Sequence, residues 1–241
     1  MLAPIICDGR SGTTFLFDLL TSHPKIRGVR EVFGPGKVRY RGITSQEILH
    51  ESMVKLIKGE DRNTPSDSYF TTTYFHGHAV KDVDNYFRKR GAKIILLKRN
   101  LVDIALSRCL VEQSKRKDNC SHDESFRKPY KNQRVTIDKE MLILVFRNFD
   151  TAMNVFPKRF CGLNVTTVNY EDLVKTRQEE CKRLLDFLEL KPMRLKLIEE
   201  RPNPLVKQRL LPREEAIINY SELLRFFKKT KYEKYFYEEN V

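Results

Sequence analysis

Three short runs rich in apolar or β-branched residues read as buried strands. They are residues 2–7 (Leu-Ala-Pro-Ile-Ile-Cys), 92–97 (Ala-Lys-Ile-Ile-Leu-Leu) and 164–168 (Asn-Val-Thr-Thr-Val). Each is followed by a change of period. After Asp8-Gly9-Arg10-Ser11-Gly12 the pattern from Thr13 to Leu20 turns helical, and after Arg99-Asn100 a helical run extends through Val111. The third run leads into Tyr170-Glu171-Asp172-Leu173 and a helix ending near Leu190. Apolar spacing predicts further helices over 44–58, 81–90, 136–155 and 214–228. The stretch 114–134 is polar and charge-dense, which predicts a mobile loop able to serve as a lid.

Strands alternating with helices imply an α/β fold: a mainly parallel sheet joined by right-handed crossovers, with helices on both faces. Ligands of such sheets bind at the carboxyl ends of the strands, where all three strand-to-helix junctions would open.

The chain's 241 residues, 40% of them hydrophobic, fit one domain over 1–241. Lys and Arg outnumber Asp and Glu by 45 to 32, and the net charge of +13 favours anionic ligands without choosing among them. The five cysteines (Cys7, Cys109, Cys120, Cys161, Cys181) lack the paired spacing of a zinc site or a disulfide scaffold. No apolar run approaches the ~20 residues of a membrane span, so a cytoplasmic location without a membrane span is expected. Triplets at Asn119, Asn164 and Asn219 match the glycosylation pattern and keep a luminal location as the alternative.

The chemistry concentrates at two junctions. In Gly9-Arg10-Ser11-Gly12-Thr13-Thr14, between a strand and a helix, glycines let backbone N–H groups approach an anion at the positive helix end. Arg10, Ser11, Thr13 and Thr14 add side-chain donors. No Lys follows Gly12, which counts against a nucleoside-triphosphatase loop and its magnesium. At the second junction Arg99 stands at a strand end and Ser107 lies eight residues on, about two helical turns away. An arginine fork and a hydroxyl can together hold a phosphate.

Together these segments resemble the sulfotransferases that use 3′-phosphoadenosine 5′-phosphosulfate (PAPS). Arg10, Ser11, Gly12, Thr13 and Thr14 match the family's loop for the 5′-phosphosulfate, and Arg99 with Ser107 matches its 3′-phosphate motif. Arg at position 10, where cytosolic steroid and phenol enzymes carry Lys, looks more like the tyrosylprotein and the bacterial glycolipid, trehalose and Nod-factor enzymes. The resemblance implies a three-layer fold related to P-loop kinases, PAPS as sulfuryl donor and no metal. It implies that Tyr170 helps enclose the adenosine. Lys207, Gln208, Arg209 and Arg213 fall in a basic loop where the family places cofactor phosphate contacts, with Lys207 and Arg209 the favoured pair.

Transfer to a hydroxyl needs a base for the acceptor proton and donors for the developing charge, Arg10 among them. Glu31, shortly after the turn His23-Pro24, resembles the catalytic glutamate of the tyrosylprotein and glycolipid enzymes. The rival bases are His78 and then His76, which lie 21 and 23 residues before Arg99, near the spacing of the cytosolic enzymes' histidine. Histidine is the readier base near neutrality, whereas a glutamate must be raised by its surroundings.

The expected activity is sulfuryl transfer by in-line displacement to a hydroxyl of a carbohydrate, glycolipid or other small metabolite. The partner is then a small-molecule or glycan acceptor and not nucleic acid, with a homodimer allowed. Two alternatives share some of these features. A P-loop-type small-molecule kinase would have the same fold and glycine loop, and a basic polyanion-binding module would use the charge. Lys and Arg here are spread along the chain instead of forming one stripe, which disfavours the module.

Overall fold

The computed structural model of the chain describes residues 1–29, 69–75, 81–113, 133–196 and 211–237. The helix predicted over 44–58, the lid over 114–134 apart from its last two residues, and the candidates Glu31, His76, His78, Lys207, Gln208 and Arg209 lie outside them.

The described chain forms two compact units. The first comprises Met1–Lys98 and Ala152–Leu197 and the second Arg99–Thr151 and Ile198–Val241. The first unit holds a five-stranded parallel sheet: β1 (Ile5–Cys7), β2 (Ile26–Val29), β3 (Tyr69–Phe75), β4 (Ile94–Lys98) and β5 (Val165–Asn169). Their order across the sheet is β2-β3-β1-β4-β5. The chain thus builds one side of β1 and then crosses to the other, so β1 stands at the switch point where open α/β sheets bind ligands. Pairing of Cys7 with both Phe75 and Leu97 brings the carboxyl ends of β3, β1 and β4 level.

Helices α1 (Thr13–Thr21), α2 (Lys81–Lys89), α5 (Tyr170–Lys175) and α6 (Arg177–Phe187) flank this sheet. The core joins Ile5 and Cys7 of β1 and Ile95 and Leu97 of β4 to Leu16, Leu19 and Leu20 of α1 and Leu184, Leu185 and Leu188 at α6. Central β4 is buried over its first four residues, as its apolar run predicts. The run beginning at Asn164 behaves differently. As an edge strand β5 buries only Val168, which corrects the expectation of a buried strand there.

The stretch from Tyr170-Glu171-Asp172-Leu173 to the helix end expected near Leu190 holds two helices. Thr176 at the break has φ −119° and ψ 45°, and its backbone N–H and hydroxyl both donate to the Asp172 carbonyl, at 2.8 and 3.0 Å. A threonine bonding backwards in this way competes with helix propagation.

The second unit packs α3 (Leu101–Gln113) and the first part of α4 (Lys139–Arg159) with α7 (Arg213–Ala216), α8 (Tyr220–Phe227) and α9 (Lys234–Tyr237). Its core centres on Phe146, stacked on Tyr232 with ring centroids 4.3 Å apart and edge-on to Phe227 at 5.1 Å. The helix predicted over 214–228 is interrupted because Ile217 is extended and pairs with Val135. The Val135 N–H donates to Ala216 O and the Ile218 N–H to Val135 O, each at 2.9 Å. Buried Ile217 gains a tertiary bridge that local helix propensity cannot match.

No helix among the described residues is long and apolar enough to cross a membrane.

Candidate functional site

The glycine loop leaves β1 at the sheet's switch point, and its backbone turns left-handed twice. Arg10 has φ 72° and Gly12 φ 87°, both in the left-handed region. A glycine adopts this conformation without steric cost and an arginine does so only when its surroundings enforce it. Two hydrogen bonds tighten the loop. The Gly9 N–H donates to Asp8 Oδ1 and the Ser11 hydroxyl to the Asp8 carbonyl, each at 2.7 Å. Ser11 is 1% exposed, so its side chain fastens the loop. Thr13 and Thr14 open α1, and the first N–H groups of a helix have no intrahelical acceptor and carry its positive dipole end. The next two amides, of Phe15 and Leu16, donate to Gly12 O at 3.0 and 3.2 Å.

Tyr170, at the carboxyl end of β5, is held against this loop. A Cβ on Gly12 would lie 2.3 Å from Tyr170 Cδ2 and 2.5 Å from Cε2, so the close approach needs glycine on two counts. The Tyr170 ring meets Phe15 edge-on at 6.1 Å, and the Arg177 guanidinium lies over Phe15 at 5.5 Å from its centroid. Loop, Tyr170, Phe15 and Arg177 therefore form one packed group within the first unit.

The second motif is organised by a different device. Asn100 caps α3, its Oδ1 accepting the Val102 and Asp103 N–H groups at 3.0 and 3.2 Å, while Arg99 precedes the cap and both Arg99 and Ser107 are half-buried. Asp103 forms a two-pronged ion pair with Arg213, with both N–O distances 3.1 Å. Arg213, at 0% exposure, is committed to this buried pair, which corrects the expectation that it contacts cofactor phosphate. Sequence reasoning missed Asn100 and Asp103. An Asn before Leu101 with Asp three residues later is a helix-start signal, but nothing local identifies their distant partners.

The three candidate bases follow strands that their sequence did not announce: Glu31 comes two residues after β2, and His76 and His78 come one and three residues after β3. His23, 4% exposed, accepts the Lys25 N–H at Nδ1 over 3.1 Å. Burial pushes its pKa below the usual imidazole value, partly offset by a hydrogen bond with the Lys191 backbone and assisted by the Lys25 charge. Burial also pushes the thiols of Cys109 and Cys181 up to about 11, which leaves them poor nucleophiles. No cluster with metal-ligand composition occurs among the described residues.

No curated protein sequence matches this chain. A sulfotransferase from Alicyclobacillus acidocaldarius has the same fold, with a TM-score of 0.56 and 14% identity over 99% of this chain and 96% of that one. Mouse sulfotransferase SULT7A1, solved in complex with PAP, gives a TM-score of 0.48 and 12% identity over 99% of this chain and 89% of that one. The sulfotransferase domain from the curacin biosynthetic pathway gives 0.47 and 13% over 91% and 85%. The sequence pattern of the sulfotransferase family matches residues 4–193, from β1 and its glycine loop to the end of the first unit's helices. That span is most of the molecule, and the chain belongs to the sulfotransferase family.

Proposed function

We propose that this chain transfers a sulfuryl group from PAPS to a hydroxyl of a carbohydrate, glycolipid or other small metabolite. The observation that carries the reading is the loop from Asp8 to Gly12. It is left-handed at Arg10 and Gly12, opens the positive end of α1 and lies at the switch point of a sulfotransferase-family sheet.

In this reading Arg10, Gly12, Thr13 and Thr14 hold the 5′-phosphosulfate, with Ser11 fastening their loop. Arg99 and Ser107 take the 3′-phosphate, Tyr170 encloses the adenosine, and Lys207 and Arg209 add phosphate contacts. The acceptor oxygen attacks sulfur in line with the departing 5′-phosphate oxygen. The S–O bond to that phosphate breaks and 3′-phosphoadenosine 5′-phosphate (PAP) leaves, its added charge met by Arg10 and the loop amides. Glu31 accepts the acceptor's proton, with His78 and then His76 as rival bases.

The test is a radiolabelled PAPS transfer assay against sugars, glycolipids, phenols and tyrosine peptides, repeated on Glu31→Gln and His78→Ala with saturating donor. Glu31→Gln should lower turnover by about 10²–10⁴-fold while retaining PAP binding, since general-base catalysis contributes that much. Near-normal turnover in Glu31→Gln with a collapse in His78→Ala would move the role to the histidine, and no transfer to any acceptor would count against the activity.

A further inference from the structure

The second unit contains a polar cluster that the proposed chemistry does not use directly. Asn100 is 2% exposed and Asp103 3%, unusual burial for such side chains at the start of a helix. Their partners lie more than a hundred residues away and converge on two backbone carbonyls. Asn100 Nδ2 donates to Tyr235 O at 2.9 Å, and Arg213 Nη1 donates to Tyr235 O at 2.8 Å and to Phe236 O at 3.3 Å. The Tyr220 hydroxyl donates to Phe236 O at 2.5 Å.

The cluster therefore joins the start of α3 to α9. Asp103 and Ser107 are four apart on α3 and share a face, while Arg99 is the residue just before the Asn100 cap. A long arginine side chain grips a phosphate well only if its backbone arrives at a fixed place and angle, because ordering it otherwise lowers the net affinity.

We propose that Asn100 is a positioning residue that fixes the Arg99–Ser107 segment for the nucleotide's 3′-phosphate by tying the α3 cap to α9. The residue type supports this role. Ser or Asp would cap the helix equally well, but neither presents an amide donor while its oxygen accepts from the cap amides. Asn100 uses both ends of its side chain, one on the cap and one on Tyr235. The inference rests on the PAPS reading and deepens it, making preference for a 3′-phosphorylated nucleotide depend on the C-terminal segment.

The experiment is calorimetric titration of the whole chain with PAP and with AMP, which lacks the 3′-phosphate. It compares the unmodified protein with Asn100→Ser, Asn100→Asp, Tyr220→Phe and Arg99→Ala. Arg99→Ala sets the floor by removing the grip itself. Asn100→Ser and Asn100→Asp keep a cap and lose the Tyr235 tether, so their PAP-over-AMP preference should fall about tenfold with AMP affinity nearly unchanged. Tyr220→Phe removes no capping group and should lower the same ratio by about threefold, a check that survives if the Asn100 variants fail to fold.

An unchanged ratio in every soluble variant, or parallel losses for PAP and AMP, overturns the positioning role. An unmodified protein with no preference for PAP overturns the PAPS reading and this inference with it, a different result from a preference that the variants leave intact.

Discussion

The two segments proposed to bind the nucleotide's phosphates reach order by opposite routes. The loop after β1 is specified almost entirely by its own residues: left-handed Arg10 and Gly12, Ser11 folded back on Asp8, and two threonines opening a helix. A distant support visible among the described residues is apolar, the Tyr170 ring against Gly12. The start of α3 is held instead by a buried ion pair and by donors to carbonyls at residues 235 and 236. A backbone-defined cradle can be read from a hexapeptide. A segment anchored by remote polar partners cannot, and it should be the more fragile of the two.

Asp103→Ala is the sharpest way to break this contrast. It would strand the Arg213 guanidinium at 0% exposure, and removing one partner of a buried pair costs about 3–5 kcal/mol. Hydrogen exchange resolved along the chain should show the loss in α3, α7 and α9. If the second unit melted within ~1 kcal/mol of the unmodified protein, the pair would not be the anchor described here.

Gly12→Ala comes next. The substitution forces a side chain into the left-handed region and drives its Cβ to 2.3 Å from Tyr170 Cδ2. Backbone strain of this kind costs about 1–3 kcal/mol, to which the collision adds. The expected outcome is a lower melting temperature together with loss of PAP and AMP binding alike, because the loop proposed to cradle the 5′-phosphate they share is what deforms. Selective loss of PAP alone would assign the loop the wrong phosphate.

The sequence was legible where structure is decided locally. The runs at 2–7 and 92–97 are central strands, and the glycine loop sits between the strand and helix expected around it. It failed where neighbours decide. Tyr69–Phe75 contains only aromatic and β-branched residues, yet three central threonines disguise it as polar, and its strand forms beside β1 through parallel pairing. Ile26–Val29 is too short, with an Arg and a Gly in four residues, to announce a strand without β3 beside it. Arg213 falls in the basic loop where the family resemblance implies phosphate contacts, and nothing in the sequence marks it as the partner of a buried carboxylate. Its partner Asp103 lies 110 residues away.

Acid should separate the two units with the smallest effect. In the first unit His23 is buried, lines a cavity with Lys25, Glu189 and Lys191, and has its pKa lowered by that burial first of all. A histidine whose folded pKa lies below the unfolded value of about 6.5 stabilises the fold fully only above that value. As pH falls below ~6.5 the unfolded chain takes up the proton first, so stability declines until the folded pKa is reached. In the second unit Asp150 is subject to burial, which raises its pKa, but hydrogen bonds from Lys231 and Tyr232 outweigh burial and leave it lowered. Its contribution is complete above the unfolded carboxylate value of about 3.9 and is lost only as pH drops through the depressed folded pKa. Urea melts followed by NMR at a series of pH values should therefore show Leu19 and Leu184 of the first unit weakening from pH ~6.5 downward, with Phe146 and Phe227 unaffected by Asp150 until near pH ~4. His23→Gln should flatten the upper limb alone. If both units weakened together across pH 6 in the unmodified protein and in His23→Gln, neither group would be the cause.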